Sequence, residues 1–255
     1  NMANVYPDYF ARFYDLIYHS LRDGVDSEFF MEKILGAKGP VLEIGTGTGR
    51  FFKKAFEEGA DIHGIDVSPD MLNVLKSKLP EKEHHRASVQ SMENFRLRKS
   101  FKLIIAPFRV FSHILAVADQ LKALQNVHDH LDKNGIFIFD LFIPNLQMLT
   151  EGITGVTDFE GEYEPGKKMR RVTSMYCDYI NQINHITMRF EWDTGTRTEV
   201  KEWKTPFRIF FRYELEHLLK LSPFKEFEIY GDHLQTPLNE DSKEFVVVCK
   251  KGLVW

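Results

Sequence analysis

The residues best suited to bind a ligand lie in one glycine-rich turn, VLEIGTGTGR, which spans Val41–Arg50. Its three glycines occupy the alternate positions 45, 47 and 49. Glycine lets a chain leave a strand in a tight turn and lets a ligand approach the bare backbone. A dinucleotide-binding loop would place its third glycine where this chain has Arg50, and a phosphate-binding loop would continue with Lys and Ser or Thr after Gly49. The spacing therefore indicates a ligand-binding turn without a pyrophosphate cradle, with a purely structural turn as the alternative.

An acidic residue follows the turn at a distance that suits a ribose. The segment Ala60–Val67 predicts a second strand, which reaches Asp66 about 20 positions beyond the first glycine. A carboxylate at this place accepts hydrogen bonds from both hydroxyls of a ribose diol. Ser68 and Pro69 then suit the N-cap and the first position of a helix. The alternative for Asp66, taken alone, is a polar strand end.

Composition limits the classes of function. The chain has 255 residues and a formal net charge of −4, which fits one large α/β domain, or one domain with an insertion, and provides no overall basic surface for nucleic acid. The basic run Lys167–Arg171 follows a Pro-Gly pair and predicts a solvated hairpin tip. Cys177 and Cys249 lack metal-ligand spacing and are expected to be free thiols in a cytoplasmic protein. No apolar stretch is long enough for a membrane helix, so we expect no membrane partner.

Apolar runs alternate with helical patterns through the first half of the chain. The runs predict five strands: Val41–Ile44, Asp61–Asp66, a weak one near His84–Ala87, Phe101–Ala106 and Ile136–Asp140. Continuous apolar strands separated by helices indicate a parallel sheet that is buried on both faces. Gly135 is expected to end the helix before the fifth strand as a left-handed cap.

The periodicity changes after the fifth strand. Residues 156–205 alternate polar and apolar side chains, which predicts three or four antiparallel strands. The earlier pattern then returns with one helix and two strands: Tyr213–Lys220, Phe224–Tyr230 and Phe245–Cys249. We therefore expect an α/β fold with seven strands in one mostly parallel sheet flanked by helices, and an antiparallel β insertion after strand 5. Residues 1–145 and 206–255 would form the main domain, and residues 146–205 an insertion that roofs the substrate site.

Several segments resemble the class I S-adenosylmethionine-dependent methyltransferases, and in particular a bacterial subgroup that acts on small molecules. They are the glycine-rich turn with Asp66, the fourth-strand segment FKLIIAPF, the segment LDKNGIF before strand 5 and the segment FRYEL after the insertion. The resemblance covers most of residues 8–250. It implies a Rossmann-like seven-stranded sheet, S-adenosylmethionine as cofactor, and methyl transfer to N or O of a small-molecule acceptor.

The resemblance also assigns residues to the cofactor. The glycines would bring the backbone close to its amino-acid part, Glu43 would meet its ammonium group, and Asp66 would hold the ribose. Val67 and Met71 would flank the adenine, and Ala106 would lie over the methionyl end. The full set of predicted cofactor-binding residues is Glu43, Gly45, Thr46, Gly47, Gly49, Asp66, Val67, Met71, Ser91, Met92 and Ala106.

One position departs from the family pattern. The loop after strand 3 usually contains Gly-Asp-Met in the family, whereas this chain has Gln90, Ser91 and Met92. The family's aspartate accepts a hydrogen bond from the adenine amino group, and the hydroxyl of Ser91 accepts one without the charge. Loss of a charge-assisted bond weakens binding by about 1 kcal/mol. Met92 is retained and would pack against the adenine.

Two side chains are candidates for catalysis. His113 follows strand 4 into the crevice at the carboxyl ends of the strands, and imidazole titrates near neutral pH, so it is a candidate base or orienting group. Tyr14 lies in a Tyr-Asp-x-x-Tyr segment that covers the cofactor in many related enzymes. A capping or solvent-facing histidine and a core tyrosine are the alternatives. The predicted substrate-binding residues, each with an ordinary packing or pairing alternative, are Tyr18, Phe108, Arg109, Phe111, Trp203 and Arg212.

These features favour one function over three others. A methyltransferase acting on a small molecule is favoured, because the cofactor supplies the electrophile and the protein need only orient, desolvate and deprotonate the acceptor. A protein that binds S-adenosylmethionine without catalysis is the first alternative, and Ser91 motivates it. An RNA or protein methyltransferase is disfavoured by the acidic net charge and the missing Asn-Pro-Pro-Tyr motif. An NAD-dependent oxidoreductase conflicts with the glycine spacing.

Two further expectations concern partners. The edges of the antiparallel insertion offer a contact for a homodimer. Neighbouring histidines such as His84 and His85, and His128 and His130, do not share a helix face, so we expect no metal.

Overall fold

The computed structural model describes residues 5–21 and 24–252, and its strands form two sheets. The helices are α1 (Asp8–Leu21), α2 (Val25–Gly36), α3 (Arg50–Glu57), α4 (Pro69–Ser77), α5 (Val117–His130), α6 (Leu146–Glu151) and α7 (Arg212–Leu221). The strands are β1 (Val41–Ile44), β2 (Ile62–Asp66), β3 (Ala87–Val89), β4 (Phe101–Ala106), β5 (Leu131–Phe142), β6 (Ile153–Glu164), β7 (Lys167–Asp178), β8 (Ile183–Asp193), β9 (Thr198–Arg208), β10 (Glu226–Tyr230) and β11 (Glu244–Lys250). Two short 3₁₀ helices cover Glu81–Arg86 and Val110–His113.

The larger sheet has seven strands in the order β10-β11-β5-β4-β1-β2-β3. The first five strands along the chain are parallel, and β11 is antiparallel to both of its neighbours, β5 and β10. Helices α2, α3 and α4 pack on one face, and α5 and α7 pack on the other. β1 is therefore buried along its whole length, as strands covered on both faces must be. This arrangement confirms the expected Rossmann-like α/β fold.

The parallel strands bring the predicted site residues to one edge. The glycine-rich turn leaves the carboxyl end of β1, Asp66 ends β2, and the segment after Ala106 leaves β4. Ser68 Oγ accepts a hydrogen bond from the N–H of Met71 at 3.2 Å, and Pro69 is the first residue of α4. The N-cap and proline therefore start α4 directly after Asp66, as predicted.

The smaller sheet is an antiparallel meander of β6, β7, β8 and β9. Turns after Glu164 and Asp193 join its first and last strand pairs, and the first of them lies at the Pro-Gly pair. The prediction that Lys167–Arg171 form a solvated hairpin tip was wrong, because these residues begin β7 and the side chains of Met169 and Arg171 are buried. One face packs against α1 through an aromatic cluster, here called the α1 cluster. Its buried members are Phe10, Ala11, Phe13, Ile17, Tyr18, Met71, Met169, Phe190, Trp192 and Trp203. Through Met71 of α4, this cluster joins the small sheet to the main domain.

The prediction for the third strand was wrong in its position. Residues Glu81–Arg86 form a 3₁₀ helix, and β3 begins only at Ala87. Arg86 donates to Glu83, three residues earlier, at 2.6 Å and to Asp61 at 2.8 Å. The contact between residues three apart stabilises a helical turn in this segment, which precedes the sheet strand.

The prediction of a left-handed cap at Gly135 was also wrong. Helix α5 ends at His130, and Gly135 lies inside β5, which starts at Leu131. The register between β4 and β5 shifts between Phe101 and Leu103. A Cβ on Gly135 would lie 2.9 Å from the carbonyl oxygen of Phe101. Glycine is therefore needed here for a close strand approach at the bulge.

No helix within the described ranges combines the length and the apolar character that crossing a bilayer requires.

Candidate functional site

A cavity of about 400 Å³ lies at the carboxyl ends of β1, β2 and β4. This is the size of a small-molecule or cofactor site. Residues of α1 and of the segment before it line the cavity from the side of the small sheet. The predicted site residues that line it are Tyr14, Gly45, Gly47, Asp66, Val67, Met71, Ser91, Met92, Phe108 and His113.

The three glycines of the turn meet different constraints. Gly45 and Gly49 have φ angles of 72° and 88°; a Cβ on Gly45 would lie 2.5 Å from Val110, and a Cβ on Gly49 would overlap Leu75. Gly47 has a φ of 57°, but a Cβ on it would meet no atom within 4 Å. The outer two glycines therefore permit close packing of the turn, whereas Gly47 leaves open space beside the backbone for a ligand.

Asp66 holds its carboxylate at the edge of the cavity and is only 6% exposed. Its Oδ2 accepts the N–H of Gly47 at 2.9 Å, and its Oδ1 accepts the N–H of Ser68 at 2.8 Å. Burial raises the pKa of Asp66, and the backbone donors oppose that rise. These bonds fix the carboxylate between the turn and α4, and they leave lone pairs on both oxygens for the hydroxyls of a ligand.

Glu43 lies behind the turn and does not line the cavity. It is 3% exposed, and Thr46 Oγ1 donates to its Oε1 at 2.5 Å. Burial raises the pKa of Glu43 to about 8 against the lowering effect of the Thr46 hydrogen bond, and the charge of Asp66 adds to the rise. Thr46, Gly49 and Ala106 also lie outside the lining. These four residues therefore shape the turn and the strand ends from behind.

The loop after β3 supplies one wall. Ser91 and Met92 line the cavity together with Gln90, Glu93 and Asn94. Met92 is almost fully buried, and Asn94 Nδ2 donates to Ser91 Oγ at 3.4 Å. The sequence carries no pattern that singles out Gln90 or Asn94, because polar loop residues without periodicity look alike.

The opposite wall holds His113 and Tyr6, a tyrosine that no sequence pattern singles out. Tyr6 and His113 both line the cavity, and the Tyr6 hydroxyl lies 3.3 Å from His113 Nε2. The Tyr6 ring packs at 4.7 Å against both Phe10 and Trp203, and its carbonyl accepts from Ser68 Oγ at 3.2 Å. Tyr6 therefore joins α4, the small sheet and the loop after β4 at the cavity wall.

Three predicted substrate-binding residues lie one layer behind this wall. Tyr18 is almost fully buried and accepts a hydrogen bond from Arg171 at 2.8 Å. Trp203 supports Tyr6, and Phe111 is fully buried in the main core. All three residues therefore take the packing role that was the alternative to substrate binding, and none of them lines the cavity.

The two predicted arginines also lie outside the lining. Arg109 pairs with Glu244, and its N–H donates to Asp140 at 2.8 Å. Arg212 is exposed at the start of α7, with its guanidinium 5.3 Å from the Tyr213 ring centre. Pairing with surrounding residues therefore accounts for Arg109, and the fold places Arg212 at the surface.

Comparison with known proteins agrees with this geometry. The methyltransferase domain family matches residues 41–135. A glycine/sarcosine N-methyltransferase of Parasynechococcus marenigrum is 30% identical over 165 residues, which cover 63% of this chain and 57% of that protein. The chain thus spans little more than half of that relative. A glycine/sarcosine N-methyltransferase of Aphanothece halophytica is 25% identical over 97% of this chain and 90% of its own length.

The solved structures show the same fold. The sugar N-methyltransferase KedS8 of Streptoalloteichus has a TM-score of 0.75 at 17% identity, with 94% of this chain and 92% of that chain covered. The family match falls on the glycine-rich turn and Asp66, which the fold brings together at the cavity. Residues 41–135 thus match the methyltransferase domain family, and the fold around them is that of solved S-adenosylmethionine-dependent methyltransferases. The resemblance seen in the sequence is thereby confirmed.

The cavity fits S-adenosylmethionine, which carries a ribose diol and two cationic centres, a sulfonium and an ammonium. Asp66, Glu93 and Asp119 place carboxylates at the lining, and none of the described lining residues is a lysine or an arginine. The open space beside Gly47 suits the close approach of a ligand to the backbone. Among the described residues, no group of His, Cys, Asp or Glu side chains is arranged to hold a metal ion.

Proposed function

We propose that this methyltransferase transfers the methyl group of S-adenosylmethionine to an amino nitrogen of a small-molecule acceptor. One observation carries the proposal: a single cavity has Asp66 and Gly47 on its lining together with His113 and Tyr6. Cofactor-binding groups and a candidate base therefore face the same enclosed space. The N-methyltransferases among the related proteins support nitrogen as the acceptor atom.

The chain's own residues would bind the cofactor, and they would orient and deprotonate the acceptor. When bound, the cofactor supplies an electrophilic methyl group on sulfur. Asp66 would accept hydrogen bonds from the ribose hydroxyls, and Gly47 would let the backbone approach the ligand. His113 would accept the proton that the acceptor nitrogen loses, with Tyr6 fixing the orientation of its ring through Nε2. Tyr14 closes the cavity on the α1 side, where the exclusion of water strengthens these contacts.

The absence of arginine and lysine from the described lining bears on the acceptor. A carboxylate or phosphate in an acceptor is most often held by such a cation. The described lining instead offers carboxylates, hydroxyls and aromatic rings. We therefore propose an acceptor whose contacts are made by hydroxyl and amino groups, as in an amino sugar or a simple amine.

The small sheet supports this wall from outside. No residue of β6 to β9 belongs to the described lining. Trp203 and Phe207 of β9 instead pack against Tyr6 and His113. We propose that residues 146–205 form an insertion that sets the acceptor side indirectly through Trp203, while residues 1–145 and 206–255, which include Phe207, form the main domain.

Calorimetric titration with S-adenosylhomocysteine, the demethylated cofactor, tests the proposal. We expect micromolar binding by the wild type and a loss of about tenfold or more in Asp66→Asn, because hydrogen bonds to a charged group contribute about 1.5–3 kcal/mol each. Asp70→Asn, in the first turn of α4 and outside the lining, is the matched control and should bind like the wild type. Wild-type protein that does not bind would overturn the proposal.

A panel of amino sugars and small amines then tests catalysis. Methylation of any of them, detected as S-adenosylhomocysteine release and as added mass on the acceptor, supports the transfer. Tight binding without turnover on the whole panel would favour the non-catalytic binding protein, which the serine at position 91 motivates.

A further inference from the structure

A buried charge network lies beside the cavity and takes no part in the proposed reaction. It consists of Asp140 on β5, His233 in the segment between β10 and β11, Glu244 at the start of β11 and Arg109 after β4, and is called here the Asp140 network. His233 Nε2 lies 2.9 Å from Asp140 Oδ2, and His233 Nδ1 lies 2.9 Å from Glu244 Oε2. Arg109 pairs with Glu244. Asp140 is fully buried and His233 is 4% exposed.

The network reaches the cavity through the loop after β4. Phe108 and Arg109 have φ angles of 57° and 60°, left-handed values that non-glycine residues adopt at a cost of about 1–2 kcal/mol each. The Arg109 N–H donates to Asp140 Oδ1 at 2.8 Å. Phe108 and the following residues Val110 and His113 line the cavity. The network therefore holds a strained segment at the point where the chain becomes the cavity wall.

The protonation of His233 decides whether this network is balanced. Asp140 Oδ2 and Glu244 Oε2 each face one ring nitrogen of His233, and only the imidazolium form of histidine has two N–H groups to donate to them. A neutral ring would leave one carboxylate facing a lone pair in a buried place, which is unfavourable.

We propose that His233 is a positioning residue of the methyltransferase site. As an imidazolium it bridges Asp140 and Glu244. The bridge keeps Asp140 in place to accept the Arg109 N–H, and it thereby keeps the loop in its cavity-lining conformation. Loss of the His233 proton would release the loop. The effect of His233 on ligand affinity rests on the proposed function. The order of the loop does not, because it is measured on the protein without ligand.

The charges around His233 set the pH at which the release occurs. Burial lowers the pKa of His233, but hydrogen bonds to Asp140 and Glu244 and their negative charges outweigh it and raise the pKa to about 9. Asp232 on the same segment adds negative charge, and Arg109 adds positive charge at Glu244. From α2, the rings of Phe29 and Phe30 pack against the imidazole. Because the pKa exceeds its ordinary value of 6.5, the stabilisation is complete below about pH 6.5 and is lost as the pH rises through about 9.

Hydrogen exchange of the ligand-free wild type, read by mass spectrometry, tests the loop directly. After correction for the intrinsic pH dependence of exchange, a peptide covering residues 107–116 should lose about tenfold of its protection between pH 7.5 and pH 10. A peptide covering β2 should keep its protection over the same range. Protection of residues 107–116 that stays constant would overturn the proposal.

A variant gives the second measurement. His233→Gln keeps one hydrogen bond but has no charge, so residues 107–116 should exchange about tenfold faster at pH 7.5 and show no further step up to pH 10. The control is His128→Gln, which alters a histidine that packs on Phe224 outside the network. Equal acceleration in the β2 peptide would mean a general loss of stability and would refute a positioning role. If the variant does not fold, the wild-type pH series decides.

Ligand binding gives a third measurement. His233→Gln should weaken S-adenosylhomocysteine binding about fivefold at pH 7.5, against no change in His128→Gln. Unchanged affinity in His233→Gln would contradict the positioning role. Because exchange is read without ligand, a wild type that fails to bind S-adenosylhomocysteine would refute the proposed function and leave the loop result intact.

Discussion

At the scale of single residues, Tyr6 changes the chemistry that can be assigned to His113. The tyrosine hydroxyl lies 3.3 Å from His113 Nε2, and its ring is fixed by Phe10 and Trp203. A base whose ring is held on one side loses less freedom when the acceptor binds, so orientation contributes to the rate. The Tyr6 hydroxyl would therefore affect the chemical step more than cofactor binding.

Removing that hydroxyl tests the assignment. Tyr6→Phe keeps the ring contacts and should lower kcat about tenfold, the loss expected for one orienting hydrogen bond, while the Kd for S-adenosylhomocysteine changes less than about twofold. Tyr9→Phe removes a hydroxyl from a ring that packs on Phe190 and Trp192, and it should leave both values unchanged. Steady-state kinetics and calorimetry measure the two effects. A Kd that rises in parallel with the fall in kcat would count against an orienting role.

Glu43 illustrates a residue whose burial opposes stability. Its pKa of about 8 in the folded protein exceeds the ordinary value of 4.5, so the folded state holds a proton that the unfolded state releases between these values. The free energy of unfolding therefore falls as the pH rises from 4.5 to 8. The Thr46 hydrogen bond holds this carboxyl behind the glycine-rich turn and outside the cavity lining, so its role near the cofactor's ammonium group stays a prediction.

Replacement by a neutral isostere separates the two effects. Glu43→Gln still accepts from Thr46, and we expect it to raise the free energy of unfolding by about 1–3 kcal/mol at pH 7.5 and by nothing measurable at pH 4.5. Urea unfolding at the two pH values measures this difference. The same variant should bind S-adenosylhomocysteine more weakly at pH 8.5, since it lacks the charge. An equal gain in stability at both pH values would show that the carboxyl is not the cause.

At the scale of elements, the glycine-rich turn separates packing from ligand access. Gly47→Ala and Gly59→Ala both place a Cβ in open space at a left-handed φ, of 57° and 89° respectively. Both should therefore lose about 1 kcal/mol of stability. Of these two glycines, Gly47 alone lines the cavity, so Gly47→Ala should lose S-adenosylhomocysteine affinity, by about tenfold or more, and Gly59→Ala should not. Thermal unfolding and calorimetry on the two variants measure this, and similar affinities would show that the ligand does not approach Gly47.

Much of this element order follows from the sequence. The apolar runs of β1, β2 and β4 and the alternating run of the small sheet are long enough for periodicity to decide. The prediction of the third strand was wrong because this strand is only three residues long and because Arg86 binds Glu83 in a preceding 3₁₀ helix. The prediction for Gly135 was wrong because glycine is needed there for a close approach to Phe101 on another strand. The local sequence pattern does not show such a contact.

The site follows the same rule. Gly47 and Asp66 were predictable because a short spacing within one β-α-β unit determines their meeting. Tyr6 and His113 lie 107 residues apart, and only the tertiary fold brings them together. Trp203 and Tyr18 are aromatic, as residues of a binding site often are, yet they pack behind the cavity wall and do not line the cavity. A single sequence does not separate these two layers, since both are apolar and aromatic.

At the scale of the whole molecule, one buried arginine links the small sheet to α1. Arg171 on β7 is 4% exposed, donates to both oxygens of Asp158 at 2.8 and 3.0 Å, and donates to the hydroxyl of Tyr18 on α1 at 2.8 Å. Removal of one partner of a buried pair leaves an uncompensated charge. Arg171 therefore holds the small sheet and α1 in a fixed relation.

Its neighbour in sequence provides a matched control. Arg171→Ala should destabilise the protein by about 3 kcal/mol or more. Arg170→Ala, which removes an exposed arginine paired with Glu191, should change stability by less than about 1 kcal/mol. Denaturant unfolding of both variants measures the difference. Equal losses would mean that the buried position of Arg171 adds nothing to its contribution.

The place of β11 between β10 and β5 has a consequence for biosynthesis. The ribosome makes β11 after all the other described strands, so the edge of β5 stays open while the small sheet, α7 and β10 emerge. An open apolar edge attracts other strands, and a delay in translation at this stage would raise the load on chaperones. Glu244 also arrives only with β11, so the partner of Arg109 and His233 is missing until then. The glycine-rich turn is therefore synthesised long before the residues that complete the cavity wall on the acceptor side.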